Sequence, residues 1–288
     1  MMKIGLSTYS LWQALRSGEM DVLGAIEWIA VNGGDQVEIS PFGFSLSENP
    51  TLIDAIVKKA GECRMSISSY TIGASLIQPD DAAQKKEIER VKCEVDIAHR
   101  LGVSRMRHDA GWRPIPECGI AQFEKDLPRI ADACREIADY AKRFGITTSV
   151  ENHGYLMQNS ERVQRLIRAV GRDNFRTTLD IGNFICVDED PVAAVRNNVR
   201  YASHIHFKDF YLRPFTADPG EGWTKSLFGN YWRGAIVGHG DIDVRAIVRI
   251  VRDSGYDGDA SIEFEGMEEC RMASKIGMDN LRRYFQET

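Results

Sequence analysis

Four residues of types that bind divalent metal ions end four short strand-like segments in the second half of the chain: Glu151, Asp180, His206 and Glu263. Each segment is β-branched or apolar, as a buried strand should be. Glu151 and Asp180 are 29 residues apart and Asp180 and His206 are 26 apart, close to the ~30 residues of one strand–helix unit in an eight-unit barrel. Glu263 follows after 57 residues, which include a loop of roughly 30 residues without helical periodicity. The spacing predicts that the four side chains meet at the mouth of a barrel.

The whole chain alternates between strand-like and helix-like segments. The predicted strands are about residues 3–7, 36–39, 65–70, 103–107, 146–151, 176–180, 204–206 and 260–263. The predicted helices are about residues 22–31, 51–63, 82–101, 120–144, 160–170, 191–200, 243–254 and 269–285. This α/β alternation predicts a parallel sheet, and eight units predict closure into a (β/α)8 barrel, one domain over residues 1–288. An open doubly wound sheet is the alternative, but no G-x-G-x-x-G motif follows the first strand, which disfavours dinucleotide binding.

Composition narrows the class of protein. The 288 residues are 43% hydrophobic and 27% charged, as in an ordinary globular domain. A net charge of -6 argues against an electrostatic nucleic-acid binder, although a local basic patch stays open. No apolar run approaches ~18 residues, which predicts no membrane span, and the start of the chain is too short and polar for a signal peptide. Six scattered cysteines without a C-x-x-C pair predict a reduced, cytoplasmic location.

Three carboxylates and one imidazole predict a site for one divalent cation. Mn²⁺ or Mg²⁺ suits this oxygen-rich set best, and Zn²⁺, Co²⁺ or Fe²⁺ stays open. The alternative is structural: Asp180 would cap the following turn, Glu151 and Glu263 would pair with arginines, and His206 would be a packed histidine. Three carboxylates crowded together without a cation repel one another at a high energetic cost. We therefore favour the metal site.

Five motifs resemble the sugar-phosphate isomerase/epimerase family of xylose-isomerase-like TIM barrels, and the resemblance covers essentially the whole chain. They are VENH at 150–153, LDIGN at 179–183, HIHFKD at 204–209, GHGDID at 238–243 and SIEFEG at 261–266. The resemblance implies that Glu151, Asp180, His206 and Glu263 hold one divalent metal. It also implies that Glu151 and Glu263 act as catalytic proton carriers.

The resemblance implies chemistry at a carbon next to a carbonyl. A metal chelated by the carbonyl and a neighbouring hydroxyl acidifies the C–H group between them. Return of the proton to the other face gives epimerisation, transfer along one face gives ketose–aldose isomerisation, and loss of a hydroxyl gives dehydration. We expect a sugar or keto-sugar isomerase or epimerase. The alternatives are a lyase (an inosose-type dehydratase or a C-glycoside-cleaving eliminase), a barrel endonuclease, which the acidic balance disfavours, and a non-catalytic sugar-binding barrel.

Further residues are candidates for substrate contacts because they stand near strand ends or in a glycine turn. They are His108, Trp112, His153, Asn183, Lys208 and His239. Glu38, at the end of the second strand, could also face the mouth. The aromatic-rich loop at 210–239, after the seventh strand, is expected to lie over the metal, with a subunit contact as the alternative. The expected partners are a small sugar or glycoside and further copies of the chain in a homo-oligomer, with no nucleic acid and no membrane.

Overall fold

The computed structural model describes residues 2–288, which form eleven strands and nine α-helices. The strands are β1 (Ile4–Ser7), β2 (Gln36–Ile39), β3 (Ser66–Ile72), β4 (Arg105–His108), β5 (Thr147–Glu151), β6 (Phe175–Asp180), β7 (Ala202–Phe207), β8 (Asp209–Arg213), β9 (Thr224–Lys225), β10 (Tyr231–Ala235) and β11 (Ala260–Ile262). The helices are α1 (Trp12–Ser17), α2 (Val22–Val31), α3 (Pro50–Glu62), α4 (Asp81–Arg100), α5 (Ile120–Lys142), α6 (Ser160–Val170), α7 (Pro191–Asn198), α8 (Val244–Asp253) and α9 (Cys270–Glu287).

Strands β1 to β7 and β11 form a closed parallel barrel. Each of β1 to β7 pairs with the next strand along the chain except β7, which pairs with β11, and β11 then pairs with β1 to close the ring. The helices between the strands surround the barrel, as in a (β/α)8 fold. The predicted fold class is therefore confirmed.

The strand register brings the carboxyl ends of β5, β6, β7 and β11 to one rim of the barrel. Asp180 on β6 lies directly opposite His206 on β7. Glu151 ends β5, where it lies opposite Thr178, and Glu263 directly follows β11. The C-terminal rim is the end of such a barrel that carries active sites, because the loops that follow the strands meet there.

The helices begin and pack as their sequences indicate. Asp21, Asp80, Asp190 and Asp243 each accept a hydrogen bond from the backbone N–H three residues later, which satisfies a free donor at a helix start. Helix α8 buries Val244, Ile247, Val248 and Val251, the spacing of one apolar helical face. Among the described residues, no helix has the length and apolar character that crossing a membrane requires.

The segment predicted as a long loop after the seventh strand contains a second, smaller sheet. Strand β10 pairs antiparallel with β8 on one side and with β9 on the other. Phe210 on β8 is fully buried, and its ring packs against Trp232 on β10 with the ring centres 4.8 Å apart. The segment predicted as a long aromatic-rich loop therefore forms an antiparallel sheet in part, which the absence of helical periodicity does not reveal.

Candidate metal centre and its cavity

The predicted metal-binding residues form one cluster at the C-terminal rim of the barrel. Glu151, Asp180, His206 and Glu263 are all buried, and one ligand atom from each lies within 4.8 Å of the others. The Nδ1 atom of His206 is 3.9 Å from Glu151 Oε1, 3.9 Å from Asp180 Oδ2 and 3.7 Å from Glu263 Oε1. These separations leave room for a single cation between the four side chains.

The donor set of the cluster fits a divalent cation. The Nδ1 atom of His206 is buried and has no hydrogen-bond partner, although three carboxylates surround it. Burial raises the pKa of Asp180 to about 6, and repulsion from Glu151 and Glu263 adds to the rise, while Lys208 opposes it. A divalent cation would relieve this repulsion and would accept the lone pair of His206 Nδ1.

Local backbone structure holds Asp180 in place. Its Oδ1 accepts hydrogen bonds from the backbone N–H groups of Gly182 and Asn183, at 2.7 and 2.9 Å. The side chain of Asn152 bonds both the N–H and the C=O of Asp180, at 2.9 and 2.8 Å. Asp180 therefore caps the following turn with one oxygen and directs the other toward His206, which combines the structural and the metal-binding interpretations in one residue.

A positively charged side chain lies next to each of the two glutamates, Glu151 and Glu263. Arg107 Nε lies 2.6 Å from Glu151 Oε2, and Lys208 Nζ lies 2.6 Å from Glu263 Oε2. Lys208 also lies 3.2 Å from Asp180 Oδ2. Burial alone would raise the pKa of Glu151, but the positive charges of Arg107 and His206 outweigh burial and hold this pKa well below its usual range. Each glutamate thus has a positively charged partner at the oxygen other than the one that faces His206.

Glu38 lies beneath the cluster instead of at the barrel mouth. Its side chain is fully buried, and its Oε2 and Oε1 lie 2.9 and 3.1 Å from His206 Nε2. Burial alone would raise the pKa of Glu38, but His206 and His204 lower it well below its usual value. The expectation that Glu38 faces the mouth is corrected: its side chain points into the barrel interior and contacts the back of the histidine.

A cavity of about 450 Å³ opens above the cluster. Glu151, Glu263 and Lys208 line its floor, and the segment after β2 lines its wall with Phe42 and Phe44. Tyr9 also lines the cavity, and its ring meets Phe42 edge-on with the ring centres 5.6 Å apart. Within residues 2–288, no aromatic residue of the segment 210–239 lines this cavity. The segment 210–239 therefore supplies no aromatic ring to this cavity, and the first three strand–helix units supply its aromatic wall.

His153 lies at the edge of the cavity in contact with an acidic partner. Its Nδ1 is 2.9 Å from Asp109 Oδ1, and Asp109 also binds Arg107 at 2.7 Å. Burial would lower the pKa of His153, but Asp109 outweighs burial and raises it. The ring of Trp112 meets His153 edge-on at 4.7 Å, yet Trp112 is 47% exposed and does not line the cavity. Trp112 supports the histidine from outside.

The structure does not bring His108 or His239 to the cavity. Side chains alternate along a strand, so Arg107 faces the barrel interior while His108 faces the helices, where it packs near Phe175. His239 is exposed in a turn whose neighbouring N–H groups, on Gly238 and Gly240, bind Asp209 instead. The structure thus places both predicted substrate-contact histidines outside the lining of the cavity.

Asn183 and Lys208 contact the cluster. The side chain of Asn183 donates to Glu151 Oε1 at 2.8 Å and is almost fully buried, so it orients a glutamate instead of lining the cavity. Lys208 lines the cavity and contacts Glu265 at 3.2 Å as well as Glu263. The sequence did not single out Arg107 or Asp109, although alternation along β4 is consistent with Arg107 on the inner face of the strand.

Comparison with known proteins gives one family and two reaction classes. The xylose isomerase-like TIM barrel family matches residues 26–284. Inosose dehydratase of Clostridium perfringens is 25% identical over 223 residues, which cover 73% of either chain. D-psicose 3-epimerase of Clostridium cellulolyticum H10, solved with D-tagatose, has a TM-score of 0.75 at 18% identity over 99% of both chains. A xylose isomerase-like TIM barrel protein of Mycobacterium smegmatis, in complex with magnesium, has a TM-score of 0.72 at 16% identity over 99% of this chain and 98% of that chain.

Proposed function

The chain belongs to the xylose isomerase-like TIM barrel family, and from that premise we propose that it is a divalent-metal-dependent epimerase or isomerase of sugars or keto-sugars. One observation carries the proposal. Glu151 and Glu263 each direct one oxygen toward His206 Nδ1, at 3.9 and 3.7 Å, and the other toward a cation, Arg107 or Lys208, at 2.6 Å. Two glutamates placed alike around one imidazole form a matched pair of proton carriers.

The four clustered residues would hold the metal ion. Mg²⁺ or Mn²⁺ fits three carboxylates and one imidazole best, and the magnesium complex of the Mycobacterium smegmatis protein supports that choice. When bound, the cation polarises a substrate carbonyl and so acidifies the neighbouring C–H group.

The residues of the chain perform the proton transfers. One glutamate removes the acidic proton, and the other returns a proton to the opposite face of the same carbon, which inverts that carbon. Delivery to the neighbouring carbon gives isomerisation instead. Lys208 stabilises negative charge that develops on the substrate oxygen, because its ammonium group lies at the cavity floor. Asp109 occupies Nδ1 of His153, so Nε2 is the nitrogen that remains for a substrate hydroxyl.

The cavity favours a neutral, polyhydroxylated substrate. Its arginine and lysine side chains, Arg90, Arg107 and Lys208, already pair with carboxylates at 2.8, 2.6 and 2.6 Å. Its lining, all of it within residues 2–288, therefore offers no group of unpaired arginines and lysines for a doubly charged phosphate. Phe42 and Phe44 offer apolar surface to the C–H face of a sugar ring. We therefore propose an unphosphorylated keto-sugar or a glycoside of one.

A dehydratase is the second candidate. The sequence similarity to inosose dehydratase favours it, and so does the pairing of His153 with Asp109 at the cavity edge. In that reaction a glutamate removes the proton next to the carbonyl. The hydroxyl on the adjacent carbon then leaves as water with a proton from His153, and a carbon–carbon double bond forms.

Proton exchange with solvent tests the proposal. The protein, loaded with Mn²⁺ or Mg²⁺, is incubated in D₂O with a panel of keto-hexoses, keto-glycosides and inososes, and the products are followed by proton NMR. We expect deuterium to replace one C–H hydrogen next to the carbonyl and an epimer or isomer to accumulate. An unsaturated ketone would assign the lyase reaction. Metal-loaded protein that binds these compounds without exchange would contradict both reactions and would favour a non-catalytic sugar-binding barrel.

A further inference from the structure

Glu38 lies on β2, one residue before its end, and is beneath the four clustered residues with its side chain fully buried. We propose that Glu38 is a positioning residue of the metal centre. By accepting the Nε2 hydrogen of His206, it holds the imidazole in the tautomer and orientation that present Nδ1 to Glu151, Asp180 and Glu263. The inference rests on the proposed function in one respect, namely that the cluster binds a divalent cation.

The contact between the two side chains determines which ring nitrogen carries the hydrogen. The Glu38 oxygens lie 2.9 and 3.1 Å from His206 Nε2. A carboxylate can only accept a hydrogen bond, so Nε2 must donate. A neutral imidazole that carries its hydrogen on Nε2 has its lone pair on Nδ1, and Nδ1 is the buried atom without a hydrogen-bond partner. The geometry therefore presents a metal-binding nitrogen to the three carboxylates.

This contact spans the barrel interior between strands that are distant in sequence. Glu38 and His206 are 168 residues apart. They meet because β7 pairs with β11, β11 with β1 and β1 with β2, which closes the ring around their side chains. The hydroxyl of Thr71, on β3, donates a hydrogen bond to Glu38 Oε1 and restricts the carboxylate from the side opposite β1.

Glu38 also contacts a second histidine on the same strand. His204 Nε2 lies 3.0 Å from Glu38 Oε2, and the rings of His204 and His206 meet edge-on with their centres 5.5 Å apart. His204 and His206 share one face of β7, because side chains two positions apart on a strand point the same way. The carboxylate therefore has partners on several sides and cannot rotate away from His206 without breaking them.

Loss of this carboxylate should weaken metal binding without removing a ligand. Removing the carboxylate partner of a metal-binding histidine typically costs about 10–100-fold in metal affinity. In Glu38→Gln the amide keeps the volume of the side chain, but it presents hydrogens where the carboxylate only accepts them. The His206 ring is then no longer held in the tautomer that carries its hydrogen on Nε2 and leaves Nδ1 without one.

Metal affinity is the first readout. Dissociation constants for Mn²⁺ are measured by electron paramagnetic resonance and titration calorimetry for wild type, Glu38→Gln and Glu38→Ala, with thermal melting as the check on folding. We expect both Glu38 variants to bind Mn²⁺ about 10–100-fold more weakly. Gln36→Met is the matched control, because Gln36 is also buried on the inner face of β2 but contacts Ala260 and Ser261 instead of His206. Its affinity for Mn²⁺ should stay within about twofold of wild type.

The tautomer of His206 is the second readout, and it needs no metal. Long-range proton–nitrogen NMR of histidine-labelled, metal-free protein, recorded at a pH above the raised pKa of His206, should show hydrogen on Nε2 and none on Nδ1 in wild type, and a tautomer mixture in Glu38→Gln. Unchanged Mn²⁺ affinity and tautomer in Glu38→Gln would overturn the positioning role while leaving the proposed function intact. An equal loss of affinity in Gln36→Met would also overturn it, as a general disturbance of the barrel. Wild-type protein that binds no divalent cation would instead refute the proposed function.

Discussion

The two halves of the barrel contribute to the metal centre in different ways. Strands β5, β6, β7 and the end of β11 supply the four clustered residues themselves. Strands β2 and β4 supply Glu38 and Arg107, which contact His206 and Glu151 from outside the cluster. One half therefore carries the residues that we propose bind the metal and move protons, and the other half supplies two of the side chains that hold those residues in position.

This division explains why the sequence predicts the contacts of one half and not those of the other. The clustered residues recur once per strand–helix unit, so their spacing predicts that they meet. Glu38 and Arg107 act through contacts with His206 and Glu151, which lie on other strands. These contacts form only when the strands assemble into the barrel. If the halves differ in this way, substitutions of the clustered residues should have larger effects than substitutions of the residues that contact them.

Substitution of the clustered residues should abolish function. We expect Asp180→Ala and His206→Ala to lose the metal and to fall to background turnover, because each removes one of four ligands. Both variants should remain folded, since the cluster lies at the rim and the hydrophobic core lies below it. Elemental analysis and circular dichroism check these outcomes. Full metal occupancy in both variants would contradict the assignment of ligands.

Replacement of the proton carriers should separate catalysis from metal binding. Glu151→Gln and Glu263→Gln keep one oxygen ligand but lose the carboxylate base, so we expect turnover to fall by about 10²–10⁴-fold while part of the metal is retained. If the two glutamates work on opposite faces of the substrate, only the variant that retains the abstracting base should still wash deuterium into the substrate. Wild-type exchange rates in both variants would leave the two residues as metal ligands only.

Substitution in the supporting half should have an intermediate effect. Arg107→Met removes the partner of Glu151 Oε2, and we expect about a 10–100-fold loss in metal affinity or turnover. Arg105→Met is the matched control, because Arg105 stands two residues earlier on β4 and binds Asp259 at 3.0 Å, away from the cavity. Kinetics and Mn²⁺ titration on both variants check the prediction. Equal losses of metal affinity and turnover in the two variants would show that substitutions on β4 act by disturbing the fold and not through the contact with Glu151.

The pH should alter metal affinity through His206. Burial would lower the pKa of this imidazole, but Glu38, Glu263 and Glu151 outweigh burial and raise it well above the ordinary value. Metal binding needs the Nδ1 lone pair, so it displaces a proton below the raised pKa, and affinity should rise up to about tenfold per pH unit for each proton released. In metal-free protein the protonated ring stabilises the fold below the ordinary pKa near ~6.5, and this contribution is lost as the pH rises through the raised value. Calorimetry in buffers of different ionisation enthalpy measures the proton release.

The smallest effect is expected at His239. This residue is exposed in a turn outside the cavity, so His239→Ala should change the free energy of unfolding by no more than about 0.5 kcal/mol. Turnover should equal that of wild type. A loss of turnover above tenfold in a folded variant would mean that the turn approaches the substrate during the reaction.

The sequence predicted the structure best where residues of metal-binding types stand at the ends of segments with strand periodicity. The predicted barrel is confirmed, and the family resemblance is confirmed by the match over residues 26–284. The predicted bounds of α2 agree with the structure, because Asp21 caps its start. The roles of the four clustered residues stay predictions until metal and turnover are measured. The position of His108 at the end of β4 does not indicate its role, because the end of a strand says nothing about the face on which a side chain points.

The sequence by itself determined the alternation of strands and helices and the recurrence of Glu151, Asp180, His206 and Glu263 at strand ends, because both follow from local periodicity. Only the tertiary structure decided that Glu38 lies behind His206, since that contact requires eight strands to close into a ring. Barrel closure also decided that aromatic side chains after β1 and β2, and not those after β7, line the cavity. Such contacts depend on strand register and side-chain direction across the barrel, which no spacing along one chain segment encodes.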